Sequence, residues 1–466
     1  MTKIKNIAII GAGPSGLSAY LQLVKEQHTE LSSITLFDPQ GVGKSFSFHT
    51  DLASSLTNTS VGVTSLYADD KLDYFKWLRD KKPELNVTCS DFISRFYFSE
   101  YCLDRFQQSK DYAASFGCST LVERSEVKAL AYKNERMIVT NQDDIDFVFD
   151  AVILATGIRT SIPNEIEKGC ENFVATPYPE RHFLSRVNNH SNVLILGSKL
   201  SAIDVAVAIY NHYPAARMTM VSRSGELPSV RDSLLIKKPS HLDLTILSRL
   251  SAPSCYREAN VAEKLGRDIA NCKSNQNDWE DIVGQFIEEF NEQIPFMPTA
   301  RQLELSTQFH YFIKHYVSSF PLKNAEIVLN AIASGRLHII QKNLSEYLCI
   351  QDNKVCGNNA GVIDSFDLVI NASGISHKPL NDELIGSLSV FSVRRNKSGG
   401  LSLDASTMKV DSDNNAVPLY VIGGPATGEV PITNYVRSSV IQAKKIVSHI
   451  AMLDRQTKIG LLSHYA

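Results

Sequence analysis

Long hydrophobic runs are missing from this chain, and no stretch approaches the roughly 18 uninterrupted apolar residues that a membrane-spanning helix needs. Its cysteines are few and badly placed for chemistry. Eight are scattered from Cys89 to Cys356, and no two are separated by two to four residues. That spacing excludes a zinc site and a CxxC redox pair, and it points to reduced thiols packed as small apolar groups. A dominant charge is missing too, since 47 basic and 50 acidic residues leave a net charge of −3. Neither nucleic acid nor an anionic membrane is favoured as a partner by that balance. Low-complexity segments and short-period repeats do not occur. The opening run "IAIIGAG" is too short for a secretory signal and leads into a glycine turn, not a cleavage site. The expectation is a cytoplasmic protein without a membrane span. Its 466 residues, 43 % of them apolar, suffice for two large domains with an insertion.

What is present is one phrase used twice. "NIAIIGAGPSGLSAY", residues 6–20, and "NVLILGSKLSAIDVA", residues 192–206, each run from an apolar strand through glycine into an amphipathic helix. In the first copy Gly11 allows the tight turn, Gly13 lets the backbone approach a pyrophosphate, and Gly16 lets helix pack on strand. The helix N-terminus, with Pro14 and Ser15, then faces the phosphates with free N–H groups and a positive dipole end. The next strand, "SSITLFD", ends in Asp38, 22 residues past Gly16, where an acid holds ribose hydroxyls. In the second copy Gly197 remains, while Lys199 and Ala202 stand where the other two glycines would be. Its next strand, "RMTMVSRSG", carries Arg223 and no acid, which suits the 2′-phosphate of NADPH. Arg231 is a second candidate for that phosphate. Lys199 is read as a point charge for the pyrophosphate, beside Ser198 and Ser201.

Two further segments echo each other. "DAVILATGIRTSIP" (150–163) and "DLVINASGISHKP" (367–379) are apolar strands that end in small-residue turns. Two openings and two matching closures imply a duplication, and its likeness to two-domain flavoproteins implies FAD in the intact copy and a nicotinamide coenzyme in the worn one. The pattern looks like the architecture shared by disulfide reductases and flavin monooxygenases. The fold class expected is α/β, with two nested Rossmann-like domains and a helical insertion. Its limits are 1–165 for the first part of the FAD domain, 166–365 for the NAD(P) domain and 366–466 for the second part of the FAD domain. The insertion falls at about 240–330, where the chain is polar, helical in period and lacking strand runs.

With these segments the chain resembles the FAD/NAD(P)-binding family whose conserved domain is also called FAD-dependent urate hydroxylase. The similarity rests on "IAIIGAGPSGLSA", on "GVGKSFSFHTDLASSLTNTSVGVTSLYADDKLDYFKWL" (41–78), on "SRFYFSEYCLDRF" (94–106), on "SRSGELPSVR" (222–231) and on "LYVIGGPATGE" (419–429). Two positions depart from the family pattern. Lys199 replaces the usual second glycine, and Gly424 stands where many related flavoproteins place an Asp on the ribityl chain. The resemblance implies that the C-terminal helix, apolar at Val436, Val440, Ala443, Ile446, Val447 and Ile450, points its N-terminus at the flavin pyrimidine. Cofactor-binding candidates are therefore Gly11, Gly13, Pro14, Ser15, Gly16, Asp38, Val127, Thr156, Gly157, Gly423 and Gly424 for FAD. Those for NADPH are Gly197, Ser198, Lys199, Ser201 and Arg223.

A bound flavin carries the hydride and oxygen chemistry, and the protein places it. Asn58 is the candidate beside the isoalloxazine, although an Asn in "LTNTS" equally serves a turn. Arg95 is the candidate for a substrate anion or a phosphate, with a surface ion pair as its equal alternative. His49 and His377 lie near expected flavin-side loops, where a lone His is more often structural. No Ser-His-Asp set, paired carboxylates or metal-ligand cluster stands out. Three readings stay open. One is a monooxygenase acting on an amine or N-heterocycle with molecular oxygen. Another is a reductase that passes electrons to a quinone, imine or protein, and the third is a flavin-binding sensor or scaffold.

Overall fold

The computed structural model describes the chain except residues 1–3, 27–30, 165, 167–168, 234–246, 248–249, 252–259, 278, 375–381, 390–391, 414–416, 434 and 464–466, with backbone alone at 281, 382 and 454–463. His377 lies outside the described residues. Twelve strands build two large sheets and are numbered within them. They are β1 (Asn6–Ile10), β2 (Ser33–Phe37), β3 (Ser119–Glu123), β4 (Ala151–Leu154), β5 (Phe173–Val174) and β6 (Asn192–Leu196). After these come β7 (Arg217–Ser222), β8 (Leu337–Gln341), β9 (Leu368–Asn371), β10 (Leu403–Asp404), β11 (Lys409–Val410) and β12 (Leu419–Val421). The first sheet runs β10-β11-β12-β4-β1-β2-β3 and the second β8-β7-β6-β9-β5. β12, β4, β1, β2 and β3 are parallel, as are all five strands of the second sheet. Strands with helices on both faces read as continuous apolar runs, which is why Ile7–Ile10 and Val193–Leu196 are all buried.

The repeat seen in the sequence extends to single hydrogen bonds. Gly11 N donates to Phe37 O and Gly197 N to Val221 O, each at 2.8 Å. Ala155 N donates to Ile10 O at 2.7 Å, and Ala372 N to Leu196 O at 2.9 Å. Even the strand entries match, with Asp150 accepting from Asn6 N and Asp367 from Asn192 N, both at 2.7 Å. The chain therefore contains two copies of one dinucleotide-type unit. One boundary moves: β9 belongs to the second sheet, so that unit extends past residue 365 to the turn after Asn371.

Seven helices bear on the two turns and the space between them: α1 (Pro14–Lys25), α2 (Asp73–Lys81), α3 (Arg95–Ser115), α4 (Leu200–His212), α5 (Val261–Lys273), α6 (Glu280–Gln293) and α7 (Val436–Ser463). α2 and α3 lie in the excursion between β2 and β3, where Ser94 caps α3 by accepting from Phe96 N. α7 packs along α1 with Val440, Ala443, Ile446, Val447 and Ile450 buried, as its helical spacing requires. The insertion is mainly helical among its described residues, apart from the short strand Phe320–Pro321, and its apolar cluster (Trp279, Phe286, Phe290, Phe309, Phe312) also takes in Val63, Ile432 and Tyr435. Asn291 of α6 makes a reciprocal pair with Ile432, donating to its carbonyl and accepting from its N–H, both at 2.8 Å. That pairing seats the insertion on the first unit.

Candidate dinucleotide sites

A cavity of about 410 Å³ opens at the C-terminal ends of β1, β2 and β4, where ligands bind in open α/β sheets. Of the cofactor-binding candidates, Gly11, Gly13, Pro14, Ser15, Asp38, Val127, Thr156, Gly157 and Gly424 line it. Gly11 needs its glycine twice over. Its φ is +101°, and an added Cβ would collide with the carbonyl of Ala155 in the β4 turn. Gly197 repeats both constraints, with φ +112° and the carbonyl of Ala372 in the way. Gly13 is extended, at φ −66° and ψ −176°, so its lack of a side chain is a matter of space. A Cβ there would come within 2.9 Å of Lys44 O and 3.1 Å of Ser45 Cβ. Gly16 lies behind the cavity wall, packed on the Gly11 carbonyl. Asp38 accepts from Ala12 N at 2.8 Å and Gln40 N at 2.9 Å, and burial raises its pKa above the ordinary carboxylate value.

The last segment explains the departure at Gly424. A Cβ there would overlap the Gly157 carbonyl, so no side chain, Asp included, fits between the β12 and β4 turns. Gly423 lies beside the cavity at φ +74°, its N–H donating to Gln442 Oε1 at 2.8 Å. Ser439 of α7 reaches Ser15 of α1 at 2.9 Å, and both line the cavity. Two residues of the lining, Thr156 and Tyr435, carry buried hydroxyls with no hydrogen-bond partner among the described residues. Burial raises the Tyr435 pKa, keeping the hydroxyl a neutral donor. Leaving such groups unmatched costs free energy, so a polar ligand such as FAD fits this cradle. Tyr435 was not among the sequence candidates. Its position just before an apolar helix that enters a glycine-lined turn was the available signal.

The second turn differs chemically. Where Asp38 braces the first turn, Ser198 meets Ser222 Oγ and donates to Glu226 O, both at 2.8 Å. Lys199 takes the place of Gly13 with the same extended backbone, φ −106° and ψ −162°, so the substitution carries no conformational strain. Its Nζ is buried without a hydrogen-bond partner among the described residues. Burial, then the nearby Lys314 charge, lowers its pKa to about 7, with Glu226 acting the other way. His315, within 3.3 Å of Glu226, is held neutral by burial, its pKa lowered to about 2. Lys314 and His315 sit on a π-helical turn, Ile313–Val317, contributed by the insertion. Ser201 follows in the first turn of α4, and Arg223 is exposed at the end of β7.

Three candidates fall elsewhere. Arg231 is 1 % exposed and donates to Ser319 Oγ and to the carbonyls of Tyr316, Val317 and Asn58, so its guanidinium has no room for a coenzyme phosphate. Arg95 is likewise committed, to Asp204 at 2.7 Å, Tyr178 OH at 3.0 Å and the carbonyls of Leu56 and Ser47. It is a buried bridge, not a substrate contact. Asn58 is half-buried and lies outside the cavity lining, with its carbonyl turned to Arg231. No group of three metal-ligating side chains occurs among the described residues.

Comparison with known proteins agrees with this geometry. Residues 8–159 match the family model described as FAD-NAD(P)-binding. A curated relative, the uncharacterized protein YdhS of Escherichia coli (strain K12), is 31 % identical over 221 residues. That match covers 44 % of this chain and 39 % of the relative, about two-fifths of its length. Among solved structures, the ornithine hydroxylase PvdA of Pseudomonas aeruginosa superposes with a TM-score of 0.63 at 15 % identity, over 96 % of this chain and 99 % of that one. The ornithine N-hydroxylase KtzI of Kutzneria sp. 744, solved with reduced FAD, NADP+ and L-ornithine, gives 0.62 at 13 % identity over 97 % and 99 %. Thioredoxin reductase of Lactococcus lactis gives 0.51 at 12 % identity over 97 % and 100 %. These likenesses establish the fold. No described helix is long and apolar enough to cross a membrane.

Proposed function

We propose that this chain is an FAD-dependent oxidoreductase that takes electrons from NADPH and hydroxylates a small molecule, an amine or N-heterocycle, with molecular oxygen. The observation that carries the reading is the pair of duplicated turns. One opens on a cavity whose lining residues Thr156 and Tyr435 carry unmatched buried hydroxyls, and the other holds the unmatched buried amine of Lys199. Gly11, Gly13 and the N-terminus of α1 would hold the FAD pyrophosphate, Asp38 a ribose, and Thr156 and Tyr435 the remaining polar edges. Lys199 and α4 would hold the coenzyme pyrophosphate, and Arg223 its 2′-phosphate. When bound, the flavin supplies two-electron transfer and oxygen activation. The chain's own contribution is placement and exclusion of water. Asn291 of α6 pairs with Ile432, and Trp279, Phe286 and Phe312 pack in one apolar cluster with Tyr435 of the cavity lining. The choice of hydroxylation over other acceptors is supported by that apolar packing behind Tyr435. The likeness in fold to ornithine N-hydroxylases and to an L-lysine 6-monooxygenase of Pseudomonas syringae supports it too.

NADPH oxidation by the purified flavoprotein, with oxygen uptake and hydrogen peroxide recorded against a panel of amines and N-heterocycles, tests the reading. With the true substrate, coenzyme consumption rises and peroxide yield falls, because one oxygen atom enters product and the other leaves as water. Multiple turnover without oxygen, at the aerobic rate and with an added quinone or imine, would instead establish a reductase.

The coenzyme preference follows from Arg223. A charge-assisted contact to the 2′-phosphate is worth roughly ten- to a hundredfold in affinity. Arg223→Ala is expected to lose that preference while NADH kinetics stay within about threefold. Equal use of both coenzymes by the wild type would remove Arg223 from the site.

A further inference from the structure

The bridge made by Arg95 crosses between the two units. Arg95 is the first residue of α3, in the excursion of the first unit, and Asp204 lies on α4, five residues beyond Lys199. Between them stands Tyr178 of the connecting segment, whose hydroxyl donates to Asp204 Oδ2 at 2.5 Å while accepting from Arg95 at 3.0 Å. The side chains of Arg95 and Asp204 are 5 % and 3 % exposed. From this buried centre the contacts run directly to the cavity wall. Arg95 donates to Ser47 O at 3.4 Å, and the Tyr178 ring packs edge-on against Phe46 at 5.2 Å. Phe46 and Ser47 both line the cavity. The same connector anchors the far end of that loop, since Glu180 accepts from Thr50 Oγ1, Asp51 N and Ser55 Oγ.

We propose that Arg95, Tyr178 and Asp204 form a joint that fixes the second dinucleotide turn relative to the flavin cavity, and so act as positioning residues for electron delivery between the two cofactors. The inference rests on the assignment of FAD to the first turn and of the coenzyme to the second. A hydride, carrying two electrons, passes from the reduced nicotinamide to the flavin, which oxidises the one and reduces the other. That transfer tolerates little misplacement, because reacting atoms must lie about 3–3.5 Å apart. Hydrogen bonds with fixed directions define such a distance better than apolar packing does.

The test exploits the difference between stability and direction. Removing one partner leaves a buried charge uncompensated, whereas replacing a whole buried ionic set by apolar groups of similar volume is often neutral for folding. The triple variant Arg95→Met/Tyr178→Phe/Asp204→Leu is therefore expected to fold and bind FAD. Its limiting rate of flavin reduction at saturating NADPH should fall at least roughly tenfold, with coenzyme Kd within about threefold. Its small-angle scattering, recorded without cofactors, should show a broader distribution of distances between the units. Wild-type scattering together with a wild-type reduction rate would overturn the joint. Should the triple variant not fold, Tyr178→Phe keeps the ion pair and loses only the hydroxyl. It should lower the limiting rate by about threefold without changing coenzyme Kd, and an unchanged rate would overturn the proposal. If the wild type binds neither FAD nor coenzyme, the site assignment fails, and the scattering comparison alone decides the joint.

Discussion

Gly13→Val yields colourless protein. The added Cβ would press on Lys44 O at 2.9 Å and Ser45 Cβ at 3.1 Å, both in the loop that walls the cavity. Overpacking of this kind costs about 1–3 kcal/mol. Holding a pyrophosphate off the α1 N-terminus forfeits a charge-assisted hydrogen bond worth about 1.5–3 kcal/mol. The first is a cost to the folded protein, and the second weakens FAD binding by roughly one to two orders of magnitude. The backbone at Gly13 is extended and open to any residue, so the fold should survive. Flavin absorbance after gel filtration, read beside the melting temperature, checks both halves. Stoichiometric FAD in a folded Gly13→Val protein would remove the cofactor from this turn.

The second large effect is on pH. Lys199, with its pKa lowered to about 7, is mostly neutral in the coenzyme-free protein above that pH. A pyrophosphate at the α4 N-terminus favours the ammonium, so binding takes up a proton wherever the free protein lacks it. Below pH 7 the proton is already in place and affinity is highest. Above it, affinity falls by up to roughly tenfold per pH unit until the pKa of the complex is reached. Glu226 opposes the depression, while Lys314 and Lys264 add to it, and His315 stays neutral throughout. NADP+ titrations between pH 7 and about 9 should show this slope in the wild type and lose it in Lys199→Met. A flat wild-type profile would place the Lys199 ammonium away from the phosphates. The same depression makes the coenzyme-free protein gain stability as pH rises from 7 towards the ordinary lysine value, because the unfolded chain then holds the proton more tightly.

The glycine turns, the duplication and the run of buried strands were legible in the sequence, because each depends on neighbours only a few residues apart. A tight turn demands a left-handed glycine at Gly11 and again at Gly197, and an apolar run bounded by such turns becomes a core strand. The α7 helix was readable for the same reason, from its 3.6-residue period. The limit of the second unit was misjudged because β5 and β9 join one sheet from far apart in the chain. Arg95 and Arg231 looked like ligand contacts because sequence gives a cation's charge but not its partners. Arg95 finds Asp204 at a separation of 109 positions, and Arg231 finds Ser319 at a separation of 88. Lys199 shows the division most sharply. That a lysine replaces a glycine is a fact of sequence. The tertiary fold brings the Ile313–Val317 turn, through His315, onto Glu226 and Ser229 of the loop after β7, and burial followed by the Lys314 charge brings the Lys199 pKa near neutrality. Burial and charge are sums over neighbours in space, and those neighbours are chosen by the tertiary fold.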